Sequence, residues 1–426
     1  MKRHHLLIAL ATASFFIRAG CDESAEARWE AHRRTVMEEG GLPRAGRLAF
    51  TTTSLGSPTE SALEYRLGED GSLAGFRIIP VGGPERGLVV WTPGDGWEKT
   101  RGGAVRRLCP REHEEAGLTA LFLSGAYLGL EPFSGPREEV LLNWGGAELR
   151  LTLEPDGLLA GAEAFLDGRI YSAVLGGPDD DAPHLPRTVS ITPEGSPAFE
   201  LARRGFTELS PDEVELSPPE PSGMVYDYST GRTIPLRLAG GMLLAPVVIG
   251  GLELELALDT GAAMAYLRPE AARRLGLDPV GESVVVSLDG SATRHGVAVL
   301  DMLKIGPVTL EEQAVVIGEP SFLLALAAPF DGLVGYDLLA RLPARLDVES
   351  GRLELLPPDK EPEVPPGAVV LPLKLPGRLP QLAGELDGAG GLDFILDTGS
   401  PLELFVLPKS ASRLMAHSGA PLEEYT

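Results

Sequence analysis

An apolar run ending in Asp-Thr-Gly occurs twice in this chain, as LELALDTGAAMA at 254–265 and LDFILDTGSPLE at 392–403. The surroundings repeat as well. IPLRL at 234–238 matches LPLKL at 371–375 at an offset of 137, and Asp259-Thr260-Gly261 matches Asp397-Thr398-Gly399 at 138. RPEAARRL at 268–275 then answers LPKSASRL at 407–414 at 139. Three letters alone are a weak motif. An offset held within one residue over this span marks two copies of one unit, and any fold for the chain must accommodate both.

The residue types suggest why such a unit recurs. An apolar strand carries a carboxylate to the floor of a cleft, where burial opposes its ionisation. If two units face each other, two aspartates meet, and like charges at close range hold one proton between them. One carboxylate then serves as general base on a water while the other donates to a carbonyl. Glycine lets backbone amides come close to the carboxylate, and the threonine hydroxyl can bond across to the other unit. Read singly, each triplet is also what a strand ending in a tight turn would carry.

The first copy resembles the retropepsin-like aspartic peptidases of the exported bacterial type over residues 234–356. On that resemblance Asp259-Thr260-Gly261 is a catalytic triplet followed by a helix from about Pro269, and VSLDGSATRHGVAVL (286–300) is a flap hairpin. LKIGPVTLEEQAVVI is the next strand pair, and FDGLVGYDLLARLPARLDVESGRLEL carries the segment whose Gly335 packs beside the catalytic loop. The implied catalytic pair is Asp259 and Asp397. Thr260, Gly261, Thr398, Gly399, Ser400 and Gly335 support their loops, and the substrate is polypeptide. Met264, Tyr266 and Leu267 read as core. Asp331 and Asp337 read as turn and cap residues, and Asp301 and Asp347 have no better claim.

The second copy departs from the first. From Asp259 to Gly335 is 76 residues, whereas 29 follow Asp397. The copy holds its strand and helix sequence without a flap or second glycine segment. Because Thr398, Gly399 and Ser400 are intact, the expectation is a fragment, with activity reduced unless first copies dimerise.

Elsewhere, 52 Gly and 37 Pro interrupt the pattern into short apolar runs. The expected class is therefore mostly β (α+β): a curved antiparallel sheet domain, then a retropepsin-like β-barrel and a partial second copy. Residues 1–21 read as a secretory signal, with Lys2-Arg3, the apolar run Leu6–Ile17 and Arg18-Ala19-Gly20-Cys21. Ala-Gly-Cys is similar to a bacterial lipobox, from which Arg18 departs. Whether Cys21 anchors the protein in a membrane stays open on these residues. Residues 22–44 form a charged tether or short helix. Residues 45–210 alternate with period two around Gly-Asp and Asp-Gly turns, with one helix near 110–128. This block weakly resembles the lipoprotein-carrier fold. Pro- and acid-rich stretches at 211–233 and 358–367 separate it from the first unit (234–357) and the second (368–426).

A formal charge of −24 excludes nucleic-acid binding, since nothing neutralises phosphates. Cys21 and Cys109 are the only cysteines, so no disulfide framework is expected, and Cys109 reads as a small buried hydrophobe. REHEEA around His113 lacks the second histidine of a zinc helix, and no Gly-x-Ser-x-Gly or phosphate loop occurs. No metal or cofactor is implied. Two readings remain: an exported aspartic endopeptidase, or a non-catalytic envelope lipoprotein that binds lipid or peptide.

Overall fold

The computed structural model describes residues 24–37, 42–54, 57–81, 87–134, 139–154, 158–166, 169–179, 182–193, 198–286, 292–318, 330–386, 388–400, 404, 406, 411 and 414. The signal sequence with Cys21, and most of the helix expected at 407–414, lie outside them. The described chain is mostly β, as the alternation requires.

A sheet of 13 strands spans Ala45 to Glu208. The strands at Ala45–Ser54 and Phe199–Glu208 pair antiparallel in its middle, and a meander runs outward on each side. One meander ends at the hairpin Asp95–Lys99/Val105–Arg107 and the other at Pro132–Ser134. The chain crosses between these edges through helix α2 (Pro110–Leu123) and the 3-10 turn Ala126–Gly129. Pro110 fits the first helical turn, where its missing N–H costs nothing. Cys109 is the N-cap and is half-buried, so the buried-hydrophobe reading is corrected. Its backbone N–H donates to Glu112, which satisfies one of the orphan donors of a helix start.

Helix α1 (Ala25–Val36) covers the same core. Trp29 and His32 are both fully buried, and His32 stacks on Tyr127 at 6.0 Å. The charged tether thus begins as a helix whose apolar face closes the accessory sheet. A cavity of about 20 Å³ remains beside His32, Tyr127 and Leu185, room for a single water.

The Pro- and acid-rich stretch is fixed to the sheet. Val214 is buried, and Leu216 packs against Gly75 where a side chain there would collide with it. Residues 358–370 are exposed throughout.

The first unit builds a sheet of nine strands, one of them Met224–Tyr226 contributed by the Pro- and acid-rich stretch before it. Met242–Ile249 and Leu252–Leu258 form a hairpin whose turn residues Gly250 and Gly251 have φ of 57° and 80°. Positive φ at both central positions is the turn geometry that matches strand twist, and glycine reaches it without a Cβ clash. The path runs through Gly332–Val334, Ala265–Leu267, Val308–Ile317 and Ala292–Ile305. The last two also pair with each other, which closes the sheet into a barrel. Helix α3 (Pro269–Leu275) follows the Asp259 loop and ends at Gly276 with φ 66°. The flap sequence lies on the hairpin Gly281–Val286/Ala292–Ile305, and its tip is outside the described residues.

In the second unit Gln381–Leu386 and Ala389–Ile395 pair as a hairpin equivalent to the one before Asp259. LPLKL at 371–375 forms no strand, whereas Thr233–Pro235 in the first unit pairs with Arg352–Leu355.

Candidate active site

Leu254, Leu256 and Leu258 are all at most 2% exposed, so the strand they share runs through the barrel core and ends at Asp259, itself 4% exposed. The N–H of Asp259 donates to Val334 O at 3.0 Å. Gly335 follows directly, and a methyl placed on it would overlap the Asp259 carbonyl and lie 2.6 Å from Ala262 O. Only glycine permits this approach, the packing expected of Gly335.

The second triplet meets the first head-on. Thr260 N donates to Thr398 Oγ1 at 3.1 Å, and Thr398 N donates to Thr260 Oγ1 at 3.0 Å. The hydroxyls donate onward across the same junction. Thr398 Oγ1 donates to Leu258 O at 2.9 Å, and Thr260 Oγ1 to Leu396 O. Each threonine therefore accepts from and donates to the opposite loop, which gives the pair local two-fold character. The glycines obey the same symmetry. A Cβ on Gly261 would lie 2.7 Å from the Asp397 carboxyl carbon, and one on Gly399 would overlap the Asp259 carboxyl. Each aspartate thus sits against the other loop's glycine. Gly399 N donates to Asp397 Oδ1 at 2.9 Å, and Ser400 continues the turn, half-buried.

This placement governs the titration of Asp259. Burial pushes its carboxyl up to about 7, helped by the adjacent Asp397 charge and a hydrogen bond between the two side chains. The amides of Gly261 and Ala262 pull the other way but do not outweigh burial. Burial raises the neighbouring Tyr266 hydroxyl too, with Asp259 the second cause. Tyr266 is buried in a cluster with Met242, Leu244 and Leu333, in keeping with a core role.

Residues 245–338 match the aspartyl protease family. The matched aspartyl protease segment holds Asp259 and Gly335 and stops short of Asp397. No curated protein matches the chain. Among solved structures it is similar to a retropepsin-like aspartic protease from Rickettsia conorii. Identity is 21%, over 31% of this chain and 88% of that one, with a TM-score of 0.22. It is similar also to a LolA superfamily protein from Nitrosomonas europaea at 11% identity, over 45% and 96%, with a TM-score of 0.31. A DUF1329 family protein from Desulfovibrio piger gives 12%, 46%, 100% and 0.31 in the same order.

Of the other acids in the first unit, Asp331 braces a loop by accepting from Glu255 N at 3.0 Å and Arg274 Nη1 at 2.7 Å. Asp347 accepts from Ser350 N in a turn, and Asp301 is exposed. Asp337 differs from its reading as a turn or cap residue. It is 6% exposed, its carboxyl is raised by burial, and Arg378 and Arg341 oppose that shift. Arg341 stands four residues on in the same stretch, whereas Arg378 comes from the second unit and could not be read from local sequence. Among the described residues, no group of three or more His, Cys, Asp or Glu side chains could hold a metal ion.

Proposed function

We propose that this protein is an exported aspartic endopeptidase in which Asp259 and Asp397 hydrolyse a peptide bond with one shared proton. The reading rests on one observation: two Asp-Thr-Gly loops interlock so that each carboxyl lies against the other loop's glycine. Burial favours the proton on Asp259, which then donates to the scissile carbonyl oxygen. Asp397 takes a proton from the attacking water, whose oxygen bonds to the carbonyl carbon. That proton passes to the amide nitrogen as the C–N bond breaks, and Asp259 takes its own proton back from a hydroxyl of the diol as the carboxylic acid forms. Thr260 and Thr398 hold the loops in register, and Gly261, Gly399, Ser400 and Gly335 give the backbone the approach it needs. We assign the sequence 286–300 to a flap over a polypeptide substrate, as the resemblance implies.

We assign residues 45–210 to an accessory domain, 234–357 to the first unit and 368–426 to the second. Residues 1–21 direct export, with Cys21 as the candidate anchor. No helix among the described residues is long and apolar enough to cross a membrane. Lipid carriage would need a hollow beneath the accessory sheet, a place that α1 and α2 occupy.

The test is peptide hydrolysis by the full chain beside Asp259→Asn and Asp397→Asn. Both variants should lose turnover, since one carboxylate cannot be base and donor at once. Full activity in Asp397→Asn with loss in Asp259→Asn would replace the tandem pair by a homodimer of first units. Activity retained in both would end the aspartic-peptidase reading.

A further inference from the structure

The accessory domain reaches the segment before Asp397 through the first turn of α2 and the hairpin Asp95–Lys99/Val105–Arg107. At its base, Arg106 Nε donates to Glu98 Oε2 at 2.7 Å, and Arg106 forks onto Glu112 at 2.6 and 2.9 Å. Both acids then reach the second unit. Gly377 N donates to Glu112 Oε1 at 2.8 Å, Arg106 Nη1 donates to Leu375 O at 3.2 Å, and Arg378 Nη2 donates to Glu98 Oε1. The side chains of Arg106, Glu98 and Arg378 are 7, 15 and 13% exposed, so water competes little for these pairs.

The segment held in this way leads straight to Asp397. Pro380, two residues beyond Arg378, accepts from Leu396 N at 2.9 Å, and Leu396 precedes Asp397. Gly377 and Arg378 both adopt left-handed backbone, with φ of 57° and 67°. For arginine that conformation is costly and persists only where its surroundings hold it. Glu98 is such a hold.

The tip of the same hairpin grips the first unit. Arg341 Nη2 donates to Gly102 O at 2.6 Å, and Ser222 N donates to Gly103 O at 3.1 Å. Arg341 lies just past the helix Tyr336–Leu339, which starts after Gly335 beneath the Asp259 loop. Tyr336 N donates to Ala262 O at 3.2 Å, and the Arg378 guanidinium lies 5.9 Å over the Tyr336 ring. Tyr336 thus touches both the Asp259 loop and the second-unit segment.

We propose that this hairpin is a clamp on the paired Asp-Thr-Gly loops, with Glu98 and Arg378 as positioning residues that hold the Asp397 segment against the Asp259 loop. Its bearing on catalysis rests on the peptidase reading, whereas the clamp itself does not. The accessory sheet is then a working part of the site, and the first unit alone would not hold the second triplet in place.

The test uses the full chain with Arg378→Gln, Arg378→Lys, Glu98→Gln and, as control, Arg345→Gln on an exposed pair with Glu354. Hydrogen exchange is followed by mass spectrometry over peptides covering 389–400 and 45–54, with peptide hydrolysis in parallel. In Arg378→Gln and Glu98→Gln, exchange at 389–400 should quicken by about tenfold, as expected for breaking a coupled contact. It should be unchanged at 45–54. Turnover should fall through kcat with KM held, Arg378→Lys should recover much of both, and the control should match the native chain. Unchanged exchange at 389–400, or equal loosening at both sites, overturns the clamp. Loosening at 389–400 in a chain whose native form hydrolyses no peptide removes the peptidase reading and leaves the clamp. Lost turnover without loosening does the reverse.

Discussion

Replacing Thr398 by valine keeps the shape of the side chain and removes its hydroxyl from the junction between the triplets. Two hydrogen bonds go with it, the one accepted from Thr260 N at 3.1 Å and the one donated to Leu258 O at 2.9 Å. A net contribution of about 1 kcal/mol for each puts the loss at about 2 kcal/mol. Thr260 is half-buried, so its freed N–H can reach water, whereas Leu258 is 2% exposed and its carbonyl is left dry, so the loss should not fall below this figure. The bonds at Thr398 N and Thr260 Oγ1 survive, so the loops should shift without parting. Expressed in kcat/KM for peptide hydrolysis, about 2 kcal/mol is a drop of about 30-fold. Thr398→Ser retains the hydroxyl and should stay within about threefold of the native rate, since only a methyl contact is lost. Thermal unfolding measured alongside separates a local shift from general loss of structure. If valine and serine at 398 gave the same rate as threonine, the reasoning that these hydroxyls hold the pair in register would be refuted.

Two further outcomes follow from the site. A carboxyl raised by folding stabilises the native state below its unfolded value, near 4, and that contribution is lost as pH rises through the folded value. With Asp259 at about 7, native stability should decline between about pH 4 and 7. In Asp259→Asn, urea unfolding at pH 5 and pH 8 should show a flatter dependence, with the residual slope from Asp337, also raised by burial. An equal slope in both proteins would count against the buried carboxyl. Gly335→Ala places a methyl against the Asp259 and Ala262 carbonyls and should cost about 1–3 kcal/mol by overpacking, with peptide hydrolysis lost through displacement of the Asp259 loop. Native activity and melting temperature in that variant would show the loop has slack.

Much of the candidate site could be read from the chain. Strand period and the apolar run before each triplet are local signals, because alternation reports which side chains must be buried. The repeat then put two aspartates at equivalent places, and hydroxyl and glycine chemistry followed from the residue types. The sequence therefore determined that two loops of this kind exist and what each can do. It did not determine what covers a buried face or which charges meet. Helix α1 shows this: its residues read as a charged tether or short helix, with no sign that Trp29 and His32 would lie fully buried on the accessory core. Asp337 shows it again, since one of the arginines near it, Arg378, arrives from the second unit. Arg378 and Glu98 stand 280 residues apart, on elements with no shared periodicity. Ion pairs of that separation leave no local pattern, because either side chain alone reads as a solvated surface charge. Burial converts the two into a fixed contact, and burial is a property of the assembled tertiary structure.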